Sequence, residues 1–355
     1  MVNLRKSVNI LLTGVGAPGT RGTLYALEKN RDRAKIKIIG IDMKDDVIGK
    51  FWSNKFYTVP APESEDYIEQ INKICSKEPI DVIVPQTTRE TVTFSKNHSK
   101  VDSVVTVSDA STIERANNKF TLMEVCKKLD IPNPEFFLVK SVEELMRRAY
   151  ELGYPSKPIV VKPPVSFGSR GFRILRENSS WNSKRFLSEK PSSAETSLED
   201  LAKMFEQNCE LGFPDLLVTE YLPGSEFTVD AFRGEKISVA IPRLRKETVN
   251  GISFRTKLDY RKDIIDYSLK LAESLDLRYA FGFQFKLDDS GVPTILECNP
   301  RVQGTMVASV FSGVNVIWMS VREALGIPIR SIPKKLNESE FYRFCSAEPK
   351  NSGRL

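Results

Sequence analysis

FGFQFKLDDSGVPTILECNPR, residues 281–301, is the stretch that decides the fold of this chain. Two segments of strand-like composition, 281–287 and 293–299, flank a polar connection at 288–292. The Asp, Ser and Gly residues of that connection are typical of a tight turn, because they tolerate the backbone angles that a chain reversal needs. The pattern therefore predicts a β-hairpin.

One face of this hairpin is predicted to carry Gln284, Glu297 and Asn299. A turn centred between residues 290 and 291 would place Gln284 opposite Glu297 and Gly282 opposite Asn299, with opposed Cβ atoms about 5 Å apart. Carboxylate and amide oxygens suit a hard cation, and so sparse a set favours Mg²⁺ over Ca²⁺. A polar, solvent-facing sheet surface is the alternative, since a register slip of one residue would break the pairing.

Two neighbours of these candidate ligands have different predicted roles. Cys298 falls on the opposite face of the strand and is predicted to pack in the core. Arg301 follows Pro300 at the rim of the polar face, where its guanidinium could bind a transferring phosphate through two hydrogen bonds. A surface arginine in a loop is the alternative for Arg301.

The first third of the chain alternates between strand and helix patterns. Apolar runs at 8–13, 36–42, 81–85 and 103–107 are separated by helical segments. Strands alternating with helices at this spacing indicate βαβ units and a parallel sheet. Residues 1–112 are therefore predicted to form a Rossmann-like domain.

The turn after the first strand opens an alternative of another class. Gly14, Gly16 and Gly19, with Asp42 ending the second strand, satisfy the dinucleotide-binding fingerprint, so an NAD(P)-dependent oxidoreductase is a second hypothesis. Phosphate-binding lysines and a carboxylate–amide hairpin downstream have no role in hydride transfer. Whether the glycine loop binds any ligand stays open.

The central part of the chain combines a buried lysine with a glycine-rich turn. Lys162 ends the apolar strand IVVK, within the segment 158–163 and just before Pro163, where an ammonium group is costly to bury unless an anion meets it. The turn at 166–171 offers backbone N–H groups and small residues that can surround a phosphate. Its order differs from that of a Walker A loop, and a simple hairpin is the alternative.

A single helix is predicted over 113–129.

Composition excludes several classes of protein. Hydrophobic residues make up 41% and charged residues 28% of the 355 residues, and the net charge of +6 is spread along the chain, which argues against nucleic-acid binding. No run of 18 apolar residues occurs, so we predict a cytoplasmic protein without a membrane span. Five isolated cysteines and the single His98 argue against disulfides, zinc sites and histidine-based triads.

Four motifs in order carry a family resemblance. Lys119, VVKPPVSFGSRG (160–171), VTEYLPGSEFTVD (218–230) and LECNPR (296–301) together resemble the ATP-grasp superfamily. Within it, the chain is similar to the halves of the carbamoyl-phosphate synthetase large subunit and to single-unit carboxylate–amine ligases. The resemblance runs from residue 8 to about residue 326. Cys298 stands where an aliphatic residue is usual, and the Ser-rich stretch 177–197 is longer than typical.

The resemblance implies an α/β fold in which a Rossmann-like, pre-ATP-grasp domain precedes a two-subdomain α+β ATP-grasp fold. ATP would lie between the two α+β subdomains. The implied division is as follows: 1–112, the Rossmann-like domain; 113–222, the small ATP-grasp subdomain with the insertion 177–197; 223–330, the C-terminal subdomain with the magnesium site; and 331–355, a C-terminal tail.

The resemblance also implies roles for individual residues. Nucleotide binding is implied for Lys119, Lys162, Ser166, Gly168, Ser169, Gly171, Glu220, Tyr221, Leu222 and Glu226, the last of these at the ribose. Gln284, Glu297 and Asn299 match the ligands of two Mg²⁺ ions, for which Mn²⁺ can substitute. Arg301 and Lys162 match residues that contact the reacting phosphate.

The implied activity is that of an ADP-forming ligase. ATP would phosphorylate a small-molecule carboxylate, and an amine or other nucleophile would displace phosphate from the acyl phosphate. Arg243, Arg245 and Arg255 are candidates for orienting anionic substrate groups, with a surface position as the alternative. A carbamoyl-phosphate-synthetase-like reaction is a further alternative, although that chemistry uses two ATP-grasp units. Neither substrate is identified by the sequence, and a homodimer is left open.

Overall fold

The computed structural model describes residues 7–166, 168, 170–177, 194–207, 212–249, 251–329 and 331–344. The chain forms two compact units. Unit 1 comprises Met1–Ala116, Ser225–Phe285 and Glu297–Leu355, and unit 2 comprises Asn117–Gly224 and Lys286–Leu296. The division at residues 112, 222 and 330 drawn from the sequence remains a prediction.

Unit 1 begins with a parallel sheet whose strand order is β3-β2-β1-β4. Its strands are β1 (Ser7–Leu12), β2 (Lys35–Asp42), β3 (Lys55–Thr58) and β4 (Val82–Val84). The helices of this region are α1 (Thr20–Glu28), α2 (Gly49–Trp52), α3 (Tyr67–Lys77), α4 (Thr88–Lys96) and α5 (Ala110–Asn117). The predicted Rossmann-like sheet is confirmed.

The strand β1 shows why this sheet is buried on both faces. Ile10, Leu11 and Leu12 are each fully buried; Ile10 and Leu12 belong to one apolar cluster and Leu11 to another. Alternate side chains of a parallel strand therefore serve two cores, as expected where helices cover both faces. The predicted strand at 103–107 is reduced to a single bridge between Val105 and Ile83.

Unit 2 contains a five-stranded sheet of order β5-β9-β6-β7-β8. Its elements are α6 (Lys119–Lys128), β5 (Phe136–Val139), α7 (Val142–Glu151), β6 (Ile159–Lys162), β7 (Arg173–Leu175), β8 (Glu195–Thr196), α8 (Leu198–Gln207) and β9 (Leu216–Glu220). The core between sheet and helices includes Leu145, Ile159 and Val218. Most of the Ser-rich insertion predicted at 177–197 lies outside the described residues, because 178–193 are not described.

The predicted single helix at 113–129 is wrong. Asn118 has an extended backbone (φ −88°, ψ 109°) and separates α5 from α6. Its side chain accepts hydrogen bonds from the N–H groups of Phe120 and Thr121 and so caps α6. Asparagine favours this N-cap position over a helix interior, which explains the break.

A six-stranded sheet of order β14-β13-β10-β11-β12-β15 follows. Its strands are β10 (Glu226–Arg233), β11 (Ser238–Val249), β12 (Ile252–Leu258), β13 (Tyr279–Leu287), β14 (Pro293–Asn299) and β15 (Glu340–Tyr342), and the helices are α9 (Lys262–Ser274), α10 (Ala308–Phe311) and α11 (Val316–Ala324). The strand β15 lies in the segment that the sequence predicted only as a tail. Among the described residues, no helix is long and apolar enough to cross a membrane.

Candidate active site

Glu297, Asn299 and Arg301 form one hydrogen-bonded array at the end of β14. The Asn299 amide nitrogen donates to Glu297 Oε1 over 3.0 Å, and Arg301 Nη2 donates to Asn299 Oδ1 over 3.2 Å. Glu297 and Asn299 are half-buried on either side of the buried Cys298. The structure thus brings three of the predicted site residues together and buries Cys298, as predicted for a packing residue.

The Arg301 guanidinium is held by three uncharged acceptors. Nε donates to Thr88 Oγ1 over 2.9 Å, Nη1 donates to the Val302 carbonyl over 3.0 Å, and Nη2 donates to Asn299. Burial lowers the pKa of Arg301 from its ordinary value, and the negative charge of Glu297 opposes this shift. A guanidinium remains protonated in proteins, so the result is a desolvated cation.

Gln284 is half-buried, and its placement on the same face as Glu297 remains a prediction. Gln284 is half-buried between Phe283 and Phe285, which are fully buried. The turn closes through a hydrogen bond from the Asp288 N–H to the Val292 carbonyl, 3.0 Å long. That closure is centred on Ser290 and not between residues 290 and 291 as predicted. Continued without a bulge, it would place Gln284 opposite Leu296 and on the other face from Glu297, so the predicted shared face requires a bulge.

The polar array offers donors of the type that Mg²⁺ prefers. The carboxylate of Glu297 and the amide oxygen of Asn299 on the same strand are oxygen ligands suited to a hard cation that keeps water and phosphate in its remaining positions. Among the described residues, no group of three or more His, Cys, Asp or Glu side chains could hold a metal ion. Glu297 is thus the one carboxylate in the predicted set, which fits an ion held jointly with a phosphate ligand.

In unit 2, Lys119 is connected to the glycine-rich turn. Its backbone N–H donates to the Pro164 carbonyl over 2.8 Å, and its ammonium group donates to the Ser166 carbonyl over 3.0 Å. Lys119 is the first residue of α6, and only 6% of it is exposed. A nearly buried ammonium group therefore lies beside the turn predicted to surround a phosphate.

Lys162 and two glycines of the turn are described by the structure. Lys162 is the last residue of β6 and is 6% exposed, so the expected burial of its side chain is observed. Gly168 and Gly171 adopt positive φ angles of 66° and 74°. A Cβ at Gly171 would lie 2.7 Å from the Pro163 ring, so only glycine fits. Ser169 lies outside the described residues.

The segment after β9 contains the residues predicted to face adenine. Glu220 is anchored through its Oε1, which accepts from the Glu135 N–H over 3.1 Å. Leu222 is buried, and the Tyr221 ring has Lys286 Nζ 4.8 Å and Arg176 Cζ 5.1 Å from its centroid. An aromatic ring between two cations is well placed for cation–π attraction, which restrains its orientation.

Each of the three arginines predicted to orient substrate is already ion-paired. Arg243 is fully buried against Asp230, with an Nε–Oδ2 distance of 3.0 Å. Arg245 pairs with Glu226, the residue predicted to bind ribose, and Arg255 pairs with Glu340. The Arg243 contact is of the structural kind, because an arginine neutralised inside the protein has little charge left for a ligand.

The glycine turn of unit 1 is filled by the protein itself. The Gly16 N–H donates to Asp42 Oδ2 over 2.8 Å, and a Cβ on Gly16 would lie 2.8 Å from Val47. A Cβ at Gly19 would lie 2.6 Å from the Gly304 Cα atom. In the dinucleotide fingerprint the acidic residue binds ribose and the second glycine admits the pyrophosphate. Here both features serve internal contacts, which opposes the oxidoreductase hypothesis.

Two residues next to Arg301 were missed by sequence reasoning. Thr88 begins α4 and contacts Arg301, while Glu90 is 4% exposed and forms a capping box with Thr87. Burial raises the pKa of Glu90 to about 7. The sequence Thr87-Thr88-Arg89-Glu90 contains the capping-box pattern, which could have identified the helix start, whereas contacts between residues 213 positions apart leave no local signal.

Comparison with known proteins finds two family models that match different parts of the chain. A profile described as "ATP-grasp in the biosynthetic pathway with Ter operon" matches residues 212–341, and one described as "PylC-like, N-terminal domain" matches residues 10–108. The carbamoyl phosphate synthase large chain of Clostridium perfringens is 25% identical over 292 residues, covering 79% of this chain and 25% of that protein. The Pyrococcus furiosus large chain is 23% identical over 228 residues, covering 61% and 19%. The chain thus spans a fifth to a quarter of these relatives.

Solved structures share the fold over nearly the whole chain. N5-carboxyaminoimidazole synthetase from Staphylococcus aureus, complexed with ADP, has a TM-score of 0.68 at 17% identity, covering 95% of this chain and 81% of that one. The biotin carboxylase domain of 2-oxoglutarate carboxylase from Hydrogenobacter thermophilus has a TM-score of 0.71 at 17% identity, covering 94% and 73%. The chain therefore has the fold of these ATP-grasp enzymes, and its residues 212–341 match an ATP-grasp family model.

Proposed function

We propose that the chain is an ADP-forming ligase that uses ATP to activate a small-molecule carboxylate as an acyl phosphate. An amine or another nucleophile then attacks the acyl carbon and phosphate leaves. Both substrates are small molecules, and the proposed location is the cytoplasm.

The array of Glu297, Asn299 and Arg301 carries this proposal. In it, hydrogen bonds join a carboxylate to an amide and the same amide to a partly buried guanidinium. The oxygens suit a cation, and the guanidinium suits an anion. A site that attracts both is what the transfer of a phosphoryl group with its metal ion requires.

Mg²⁺ is the proposed metal cofactor, with Mn²⁺ as a substitute, and Gln284, Glu297 and Asn299 would hold it. When bound, one or two such ions neutralise charge on the phosphates of ATP. Glu297 would supply the negative charge of the set. Arg301 would bind oxygens of the transferring phosphate and hold them against the attacking carboxylate.

Unit 2 supplies the proposed nucleotide contacts. Lys119 and Lys162 are both 6% exposed, and Lys119 is fixed to the glycine-rich turn through Ser166. These ammonium groups would bind phosphate oxygens, and backbone N–H groups of the turn would add further donors. Glu220, Tyr221 and Leu222 are proposed to contact adenine, and Glu226 to bind the ribose.

The reaction needs no nucleophile from the protein. A carboxylate oxygen of the substrate forms a bond to the γ-phosphorus as the bond to the β-phosphate oxygen breaks, and ADP leaves. The nucleophile then attacks the acyl carbon, and inorganic phosphate departs with the carbon–oxygen electron pair. The protein contributes positioning and charge stabilisation, which suits a chain with one histidine.

The test is ADP release from Mg²⁺-ATP in the presence of amino acids and other carboxylates, each with and without ammonia or an amine. We expect one pair to stimulate turnover, and Glu297→Ala to reduce it by about 100-fold or more. Glu247→Ala is the matched control, because Glu247 is exposed on the same sheet. Full turnover by Glu297→Ala would exclude the metal assignment. Stimulation by bicarbonate with ammonia alone would favour the carbamoyl-phosphate-synthetase-like alternative.

A further inference from the structure

The contact between Thr88 and Arg301 joins two parts of unit 1 that are far apart in sequence. Thr88 is the first residue of α4, and Arg301 follows β14. The Arg301 Nε–H donates to Thr88 Oγ1 over 2.9 Å. The start of the helix after β4 therefore holds a side chain at the end of the hairpin that carries the candidate metal ligands.

The threonine is itself held in place. Thr87 has an extended backbone and caps α4, its hydroxyl accepting from the Glu90 N–H, while the Glu90 carboxylate accepts from the Thr87 N–H. This reciprocal capping box fixes the first turn of the helix. Because Thr88 is the next residue, its backbone is fixed, and its hydroxyl group can move only by rotation about χ1.

The hydrogen bonds of Arg301 leave donors for a ligand. A guanidinium has five N–H groups, and the contacts to Thr88, Val302 and Asn299 use one on each nitrogen. One N–H on each terminal nitrogen remains, and two such groups can bind two oxygens of a phosphate or carboxylate. Within the described part of the chain, no salt bridge of Arg301 to a carboxylate is observed.

We propose that Thr88 is a positioning residue, which fixes the tilt of the Arg301 guanidinium so that its two terminal N–H groups meet the transferring phosphate. This inference rests on the proposed function of Arg301. The Val302 and Asn299 contacts come from the same chain segment as Arg301 and move with it. Of the three contacts, the one with Thr88 joins the guanidinium to a distant segment of the unit, the start of α4.

The kinetic test compares Thr88→Val with Thr88→Ser, using the carboxylate that stimulates ADP release. Valine keeps the shape but removes the acceptor, so we expect kcat to fall by about 10- to 100-fold with KM for ATP within about threefold. Serine keeps the hydroxyl and should retain kcat. In an Arg301→Ala background, Thr88→Val should have no further effect. A further loss of kcat when Thr88→Val is added to Arg301→Ala would overturn the proposal. An unchanged kcat in Thr88→Val alone would also overturn it.

A spectroscopic test is independent of any activity. In ¹⁵N-labelled protein, the Arg301 Nε–H signal, assigned by its absence in Arg301→Lys, should exchange slowly with solvent and should exchange at least about tenfold faster in Thr88→Val. An unchanged exchange rate would refute the contact. Absence of ADP release by the wild type with every carboxylate would refute the proposed function instead, with the exchange measurement still reporting on Thr88.

Discussion

Arg243 and Arg301 are two arginines of the same unit in opposite electrostatic surroundings. Arg243 is fully buried and is held by the Asp230 carboxylate through Nε and Nη2, with Thr305 Oγ1 2.6 Å from Nη2. Arg301 is held by a hydroxyl, a backbone carbonyl and an amide oxygen. A carboxylate partner neutralises the guanidinium, whereas uncharged partners orient it and leave its charge for a ligand.

The difference shows how a structural arginine can be told from a functional one. The sequence made Arg243 a candidate for orienting substrate, because it lies between the strand predicted to bind ribose and the hairpin predicted to bind metal. In the structure, its charge is matched inside the protein. Arg301 is half-buried and hydrogen-bonded to uncharged groups, while Glu297 and Glu90 attract it without forming a direct ion pair in the described part of the chain. Perturbed charges of this kind are frequent at ligand sites.

The largest expected effect is on stability, at Arg243. Arg243→Leu leaves the Asp230 carboxylate buried without its partner, so we expect the free energy of unfolding to fall by about 3–5 kcal/mol. Urea denaturation followed by circular dichroism measures this loss. The double variant Arg243→Leu with Asp230→Leu removes both charges and should recover much of the loss. A stability unchanged in the single variant would show that Arg243 is not neutralised in the way described.

Arg301→Ala should lower turnover strongly and stability only weakly, in contrast to Arg243→Leu. Its uncharged acceptors tolerate the loss of the guanidinium, so we expect a smaller change in the free energy of unfolding than at Arg243. Turnover of ATP should fall by about 100- to 1000-fold, because a charge directed at the transferring phosphate is lost. Denaturation and ADP release are measured on the same preparation. A variant that loses stability but keeps turnover would reverse the assignment of the two arginines.

Glu90 provides a pH-dependent test of the surroundings of Arg301. Burial raises the pKa of Glu90 to about 7 in the folded protein, from an ordinary value of 4.5. Between these values the folded state holds a proton that the unfolded state has lost, so this contribution to stability decreases as pH rises and is fully lost above pH 7. The expected loss is about 3 kcal/mol.

The measurement is the difference in unfolding free energy between wild type and Glu90→Gln at several pH values. Glutamine keeps the shape of the side chain without titrating. We expect the wild type to lose stability relative to the variant from about pH 4.5 to pH 8. A difference that stays constant over this range would show that Glu90 is ionised in the folded protein at all of these pH values.

The smallest effect is expected at Arg255, which pairs with Glu340 at an exposed position on the β12–β15 edge. Water screens such a pair, and the cost of ordering two long side chains offsets most of its attraction. Arg255→Gln should leave both the urea midpoint and ATP turnover unchanged. A clear loss of turnover would instead support a role of Arg255 in orienting substrate.

Much of the fold could be predicted from local patterns. The alternation of strand and helix patterns identified the parallel sheet, and the turn residues at 288–292 identified the hairpin. The helix predicted over 113–129 was wrong because the capping preference of Asn118 overrides the helical pattern on both sides. The strand β15 was missed because three residues at a sheet edge have no periodicity of their own and are ordered by their neighbour, β12.

The sequence by itself determined the family motifs, the parallel sheet, the burial of Lys162 and Cys298, and the polar character of the hairpin face. These follow from residue type and short-range periodicity, which act within a few positions of the chain. Only the tertiary structure decided that Asp230 neutralises Arg243, that Gly304 fills the space beside Gly19, and that Thr88 holds Arg301. Such contacts depend on how distant segments pack, and the charge that a side chain presents to a ligand depends on those contacts.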